Sequence, residues 1–271
     1  MNNRCNRWLT INPLHLVLSA TIFCIVWFSI LGTGYIASAA PMPEIQRRGY
    51  LNIAVKDNLR PLGFRDDKGN LQGLEIDIAK RLALELFGKA DAVKFQPVAN
   101  RDRLSVVLNK KVDLAIARVT ATESRARLVS FSVPYYFDGA VLVTKDTSIR
   151  QLSDLVNRKI AVIKNSSTIA QVRYYVPKAE LVGVKSYEEA RSLTESDTVV
   201  AFAADASVLS GWVQQYPQYR LLPTKLSTEP LSVVMPKGLQ YDQLRRQVNE
   251  AIARYTADGW LKERVKYWGL P

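Results

Sequence analysis

Thr120 and Arg125 stand five residues apart, just beyond the short apolar run 114–117. A strand end that offers Ala117, Arg118 and the Thr120 hydroxyl, free backbone N–H groups and the Arg125 guanidinium can hold a carboxylate. The planar fork of arginine matches both oxygens of that group. The ordinary alternative is a surface arginine after a strand. Two further sites add to the pattern. Ser166, Ser167 and Thr168 open a helix, where hydroxyls either cap the N-terminus or leave its N–H groups to an anion. Asp205 ends an apolar strand and begins a helix. It is either an N-cap or a carboxylate that pairs with a ligand ammonium. A carboxylate grip plus an ammonium acceptor fit an α-amino acid.

The rest of the composition removes rival chemistries. Residues 1–39 have the form of a secretory signal: Arg4 and Arg7, an apolar stretch over 14–36, then Ala37-Ser38-Ala39. Cleavage is expected after Ala39, and a retained membrane anchor is the competing reading. Cys5, His15 and Cys24 all lie in that leader. The mature chain therefore has no disulfide, no thiol nucleophile and no Ser–His–Asp triad. No acidic loop has calcium spacing, and the reading requires no cofactor and no metal.

The whole chain carries 37 basic and 25 acidic residues, a net charge of +12. Removing Arg4 and Arg7 leaves 35 against 25, or +10. The charges are scattered among acids rather than blocked. They read as solvated surface with a few arginines reserved for a site, and not as a nucleic-acid footprint.

Strands are expected at 51–55, 93–98, 114–117 and 141–144, with a turn at 66–70 and helices at 74–87 and 103–108. A second series follows, with strands at 160–163, 181–184, 198–203 and 231–235. Its helices begin near Ser166, Tyr187 and Asp205. Amphipathic helices at 241–255 and 260–268 close the chain. This alternation predicts an α/β protein of two lobes with largely parallel sheets. Crossings are expected near 141–145 and 232–237. Lobe one takes 40–144 plus 236–271, and lobe two takes 145–235. A ligand would bind at the strand ends, between the lobes.

Several segments, in order, resemble the polar amino-acid branch of the bacterial extracellular solute-binding proteins. They are Arg60-Pro61-Leu62-Gly63-Phe64, the run from Gly69 to Ala79, Lys111-Val112-Asp113, the run from Thr120 to Arg125, Phe131 to Tyr136, and the closing Asp258-Gly259-Trp260 and Lys266 to Gly269. The resemblance implies the type II periplasmic binding fold, with two lobes joined by two crossover strands and closing on a hinge. It implies no catalysis and a periplasmic location after signal removal. The implied partners are an amino acid and the membrane permease of an ABC importer, the protein itself being a monomer. It assigns Arg125 and Thr120 to the ligand carboxylate, Ser166 and Ser167 to the rest of that grip, and Asp205 to the α-ammonium.

This chain departs from the family where side chains are chosen. Leu59, Leu62 and Arg101 stand where aromatics are common, and Asn165 stands for a turn glycine. Lys56, Arg60, Arg101 and Arg118 all fall in cleft-lining segments. They would favour an acidic ligand side chain over a basic one, unless they face solvent or pair with Asp57 and Asp102. Tyr135, Tyr136, Trp260 and Trp268 are expected to be packing residues. An enzyme on the same scaffold, such as a dehydratase of small carboxylated substrates, would need an acid or base in the cleft. Glu75, Asp77 and Lys56 are the nearest candidates, and they read as surface or strand-end residues. A ligand-binding sensor is a third reading.

Overall fold

The computed structural model describes residues 40–271, and the expected leader and its cleavage site lie outside them. The first helix, α1 (Met42–Arg48), ends at Gly49, whose φ of 76° suits a residue without Cβ. Next come β1 (Leu51–Val55), the short strands β2 (Asn58–Leu59), β3 (Gly63–Arg65) and β4 (Leu71–Gln72), and α2 (Leu74–Phe87). They are followed by β5 (Val93–Pro97), α3 (Ser105–Leu108), β6 (Leu114–Ile116), α4 (Glu123–Ala126) and β7 (Ser130–Asp138). A second group comprises β8 (Ala140–Thr144), β9 (Lys159–Ile163), α5 (Thr168–Tyr175), β10 (Glu180–Val184), α6 (Tyr187–Glu195), β11 (Ala201–Asp205), α7 (Ala206–Gln215) and β12 (Arg220–Leu221). The chain ends with β13 (Glu229–Met235), α8 (Asp242–Ala257) and α9 (Trp260–Tyr267).

Two five-stranded sheets define two lobes. Their orders are β5-β1-β6-β13-β7 and β10-β9-β11-β8-β12. β1 runs parallel to β5 and β6, and β9 runs parallel to β10 and β11, as strand–helix alternation demands. Both faces of each sheet are covered, so the central strands are mostly apolar and buried. Leu51, Ile53 and Val55 face a core shared with α2, α8 and α9, while Ala54 and Ala115 face Val106 and Val107. In the second sheet Leu142 and Val162 pack with Val172, and Val143 and Phe202 pack with Leu209 and Trp212. The closing helices thus return to the first lobe.

The sheets correct the expected lobe borders. Residues 140–144, expected in lobe one, form β8 of the second sheet. Residues 229–235, expected in lobe two, form β13 of the first. The chain crosses at residues 138–140 and again at 226–229, not near 141–145 and 232–237. The two crossings are tied together. The Ala140 N–H donates to Ser227 Oγ at 2.9 Å, and the Leu226 N–H donates to the Ala140 carbonyl at 2.7 Å. Gly139, with φ of 154°, lies so close to the Ser227 carbonyl that a Cβ would clash. Pro134 is accommodated because β7 is an edge strand.

Candidate functional site

Arg118 follows β6 and is the only link, among the predicted site residues, between the lobes' strand ends. Its side chain is 18% exposed and forms an ion pair with Asp205 at the end of β11. Its Nε lies 3.4 Å from Asp138 Oδ2 and 3.3 Å from Ser207 Oγ. Its backbone N–H donates to Glu75 Oε1 at 2.6 Å, and its carbonyl accepts from Arg103. Its φ of 51° is left-handed, a conformation that a residue with Cβ holds only when its surroundings impose it. Here the bonds to Glu75 and Arg103 impose it.

Asp205 occupies the N-cap position of α7, yet its side chain makes no capping bond. The capping alternative is set aside by that geometry, and the carboxylate is directed to Arg118 instead. Asp138, fully buried, accepts from the Ser207 N–H at 2.9 Å and from the Ser207 hydroxyl.

Thr120 Oγ1 donates to Glu229 Oε2 at 3.2 Å, and Arg125 Nη1 donates to the Thr120 carbonyl at 2.8 Å. Arg125 is therefore folded back on the turn that carries Thr120 and is half-buried. Thr122 caps α4 by accepting from the Arg125 N–H, which fixes the start of that turn. Ala117 is buried, and its carbonyl accepts from Arg103 Nη1 at 3.1 Å.

Ser167 heads α5 and is exposed, with no side-chain capping bond. Ser166 Oγ is buried without a partner among the described residues. Neither serine does the capping that would explain it structurally. No hydrogen bond or ion pair among the described residues joins them to the Arg118 group.

The basic cluster divides. Lys56 is buried, donates to the Val98 carbonyl at 2.8 Å, and has its pKa lowered by burial and then by the neighbouring Arg103 charge. Arg60 lies over the Phe64 ring, 3.8 Å from its centroid. It is the one predicted site residue that lines a cavity of about 520 Å³ bounded by residues 57–67 of the first lobe and 187–216 of the second. Arg101 takes the solvent-facing alternative: its side chain is 89% exposed, beside Asp102 at 3.7 Å.

Sequence reasoning missed Arg103, which takes the inward place instead. It donates to the carbonyls of Asn100, Ala117 and Arg118, and its pKa is lowered by burial and by the Arg118 and Arg125 charges. It also missed Asp138 and Ser207. The signals available were an acid immediately before Gly139 and a serine two residues after Asp205. Glu75, read as a surface acid, is fully buried, as is Lys56 to within 5%. Glu75 Oε1 accepts from the Tyr135 hydroxyl at 2.6 Å, and Oε2 has no partner among the described residues. Burial raises its pKa, against the opposing effect of those hydrogen bonds and the nearby arginines. Tyr135 and Tyr136 lie in the first-lobe core, and Trp260 and Trp268 pack against it, as expected.

Two α/β lobes, two crossovers and charged strand ends directed into the interlobe region define a ligand receptor of the type II periplasmic binding class. The chain belongs to the bacterial extracellular solute-binding proteins, family 3, whose profile matches residues 51–271. It is similar to the glutamine-binding protein GlnH of Bacillus subtilis (strain 168), 28% identical over 219 residues and covering 80% of each chain. A glutamine-binding protein of Geobacillus stearothermophilus is 30% identical over 200 residues, covering 73% of this chain and 76% of the relative. Among solved structures, an ancestral cationic amino acid solute-binding protein superposes with a TM-score of 0.71 at 26% identity, covering 84% of this chain and 99% of that one. The solute receptor for L-cysteine of Neisseria gonorrhoeae gives 0.65 at 28% identity, covering 84% and 93%.

Proposed function

We propose that this chain is an exported receptor that binds a polar α-amino acid between its lobes and delivers it to the membrane permease of an ABC importer. The observation that carries this reading is Asp205. It heads a helix without capping it, and its carboxylate pairs across the lobes with Arg118, two residues before Thr120. That arrangement supplies an ammonium acceptor on one lobe and a carboxylate grip on the other. Arg125 and Thr120 take the ligand carboxylate, helped by Ser166 and Ser167 from the second lobe. The relatives whose names specify an amino acid support the same class.

The side chain is chosen by what surrounds it. Lys56 and Arg103 place two cations behind the first-lobe strand ends, and Arg60 adds a third at the neighbouring cavity. A basic ligand side chain meets like charge there, at a separation where screening is poor. An acidic side chain is favoured.

Isothermal calorimetry on refolded mature protein, titrated with each of the twenty amino acids, tests both levels. Micromolar or tighter binding of an acidic or neutral polar amino acid is expected. Binding of none would overturn the amino-acid reading. Equal affinity for glutamate and glutamine would overturn only the acidic preference.

A further inference from the structure

Asp138 and Asp205 both turn to the Arg118 guanidinium. The other groups on Asp138 are the neutral N–H and hydroxyl of Ser207. Two carboxylates therefore share one cation, and the group carries one negative charge more than it balances. Asp138 is nearly inaccessible, at 1% side-chain exposure, whereas Asp205 is 22% exposed. The exposed carboxylate is the one a ligand can reach. It is also the one whose position the Arg118 fork now takes.

Resting on the reading that Asp205 receives the ligand ammonium, we propose that Arg118 is a specificity gate: its guanidinium competes with the α-ammonium for Asp205 and gives way only to a ligand that brings a cation of its own. The exchange is close to balanced in charge. One guanidinium on two carboxylates becomes one guanidinium on Asp138, where Nε already lies, and one ammonium on Asp205. Each carboxylate then has its own cation. A ligand with a carboxylate and no ammonium cannot make this exchange. It brings no cation to Asp205 and leaves Arg118 in place. Arg118 thus selects amino acids against their deaminated counterparts, and it lowers affinity for the amino acids it admits. That cost follows from competition, since a site occupied most of the time by its internal cation binds with an apparent affinity reduced by the free fraction.

The test is calorimetric titration of the wild type, Arg118→Ala and Arg118→Lys with L-glutamate, L-glutamine and 2-hydroxyglutarate. If the gate is real, Arg118→Ala binds the amino acids more tightly than the wild type, by roughly three- to tenfold. Arg118→Lys falls between, because a single ammonium cannot span both carboxylates. The wild type rejects 2-hydroxyglutarate. Unchanged or weaker amino-acid binding by both variants, with binding intact in the wild type, overturns the gate and leaves the amino-acid reading standing. Tight binding of 2-hydroxyglutarate by the wild type overturns it equally. No binding of any amino acid by all three proteins overturns the amino-acid reading and the gate with it. Should Arg118→Ala fail to fold because Asp138 is left uncompensated, Arg118→Lys decides alone: tighter binding supports the gate and weaker binding overturns it.

Discussion

On the first lobe, the groups directed at the cleft are charged and tied down from behind. Arg118 is held by Glu75 and Arg103 through its own backbone, and Arg125 is folded onto the Thr120 carbonyl. On the second lobe, Asp205 is paired with Arg118, while two serines at a helix start, one exposed and one half-buried with its hydroxyl inside, are not bonded through their side chains. The first face has been organised before any ligand contact, so little ordering is left to oppose binding there. The two serines of the second face keep their hydrogen-bonding capacity unspent. Affinity should therefore reside mainly in the first face, and the second should refine it.

The largest effect expected from this contrast is that of Arg125→Ala. Removing one partner of a partly desolvated charge pair commonly costs about 2–5 kcal/mol, so amino-acid affinity should fall roughly 30-fold or more. The unfolding midpoint should hardly move, because the side chain donates only to the Thr120 carbonyl of its own turn. Affinity that survives within a few-fold in calorimetry would break the contrast at its stronger end.

Much of this frame is legible in the sequence, for reasons that also explain the rest. The apolar spacing over 74–87 coincides with α2, because one helix face must fill the first core. The strand ends at 117–120 and at 205 are visible because polar residues interrupt apolar runs there. The sheet membership of 140–144 and of 229–235 is not visible. Most of both strands is buried, and a run without alternation carries no sign of which sheet it joins. Arg101 and Arg103 flank the same aspartate. Only the turn at Asn100–Asp102 decides which of them faces inward. Glu75 looks like an ordinary acid in a first helical turn. Its burial depends on Tyr135, sixty residues away, and on the N–H of Arg118.

Glu75 offers the next test, of what holds the first face in place. Its pKa is raised by burial, so the folded protein keeps a proton that the unfolded chain releases. Its contribution to stability is complete below the ordinary value of 4.5 and is lost as pH rises through the raised value. Glu75→Gln retains an acceptor oxygen for Tyr135 and Arg118 and removes the titration. The midpoint of the variant relative to the wild type should therefore climb as pH rises from 4.5 through the raised value, at roughly 2–4 °C per kcal/mol for a chain of this size. A difference that stays flat with pH would mean that the carboxyl is not a buried acid in the folded protein.

The smallest effect belongs to the second face, and it separates a binding residue from a structural one. A buried hydroxyl with no partner destabilises a fold by about 1–3 kcal/mol relative to an apolar group of the same size. Ser166→Ala should therefore raise the unfolding midpoint of the protein. If the Ser166 hydroxyl reserves its bond for a ligand carboxylate, the same change should weaken amino-acid binding by about three- to tenfold, the worth of one neutral hydrogen bond. Opposite signs for stability and affinity are what a group kept unsatisfied for function produces. Ser167→Ala, at an exposed position, should leave the midpoint unchanged and lower affinity alone. Calorimetry and thermal unfolding on the same preparations read both quantities. If Ser166→Ala lowers stability and affinity together, the hydroxyl is part of the turn's own support, and the carboxylate grip narrows to Thr120, Arg125 and Ser167.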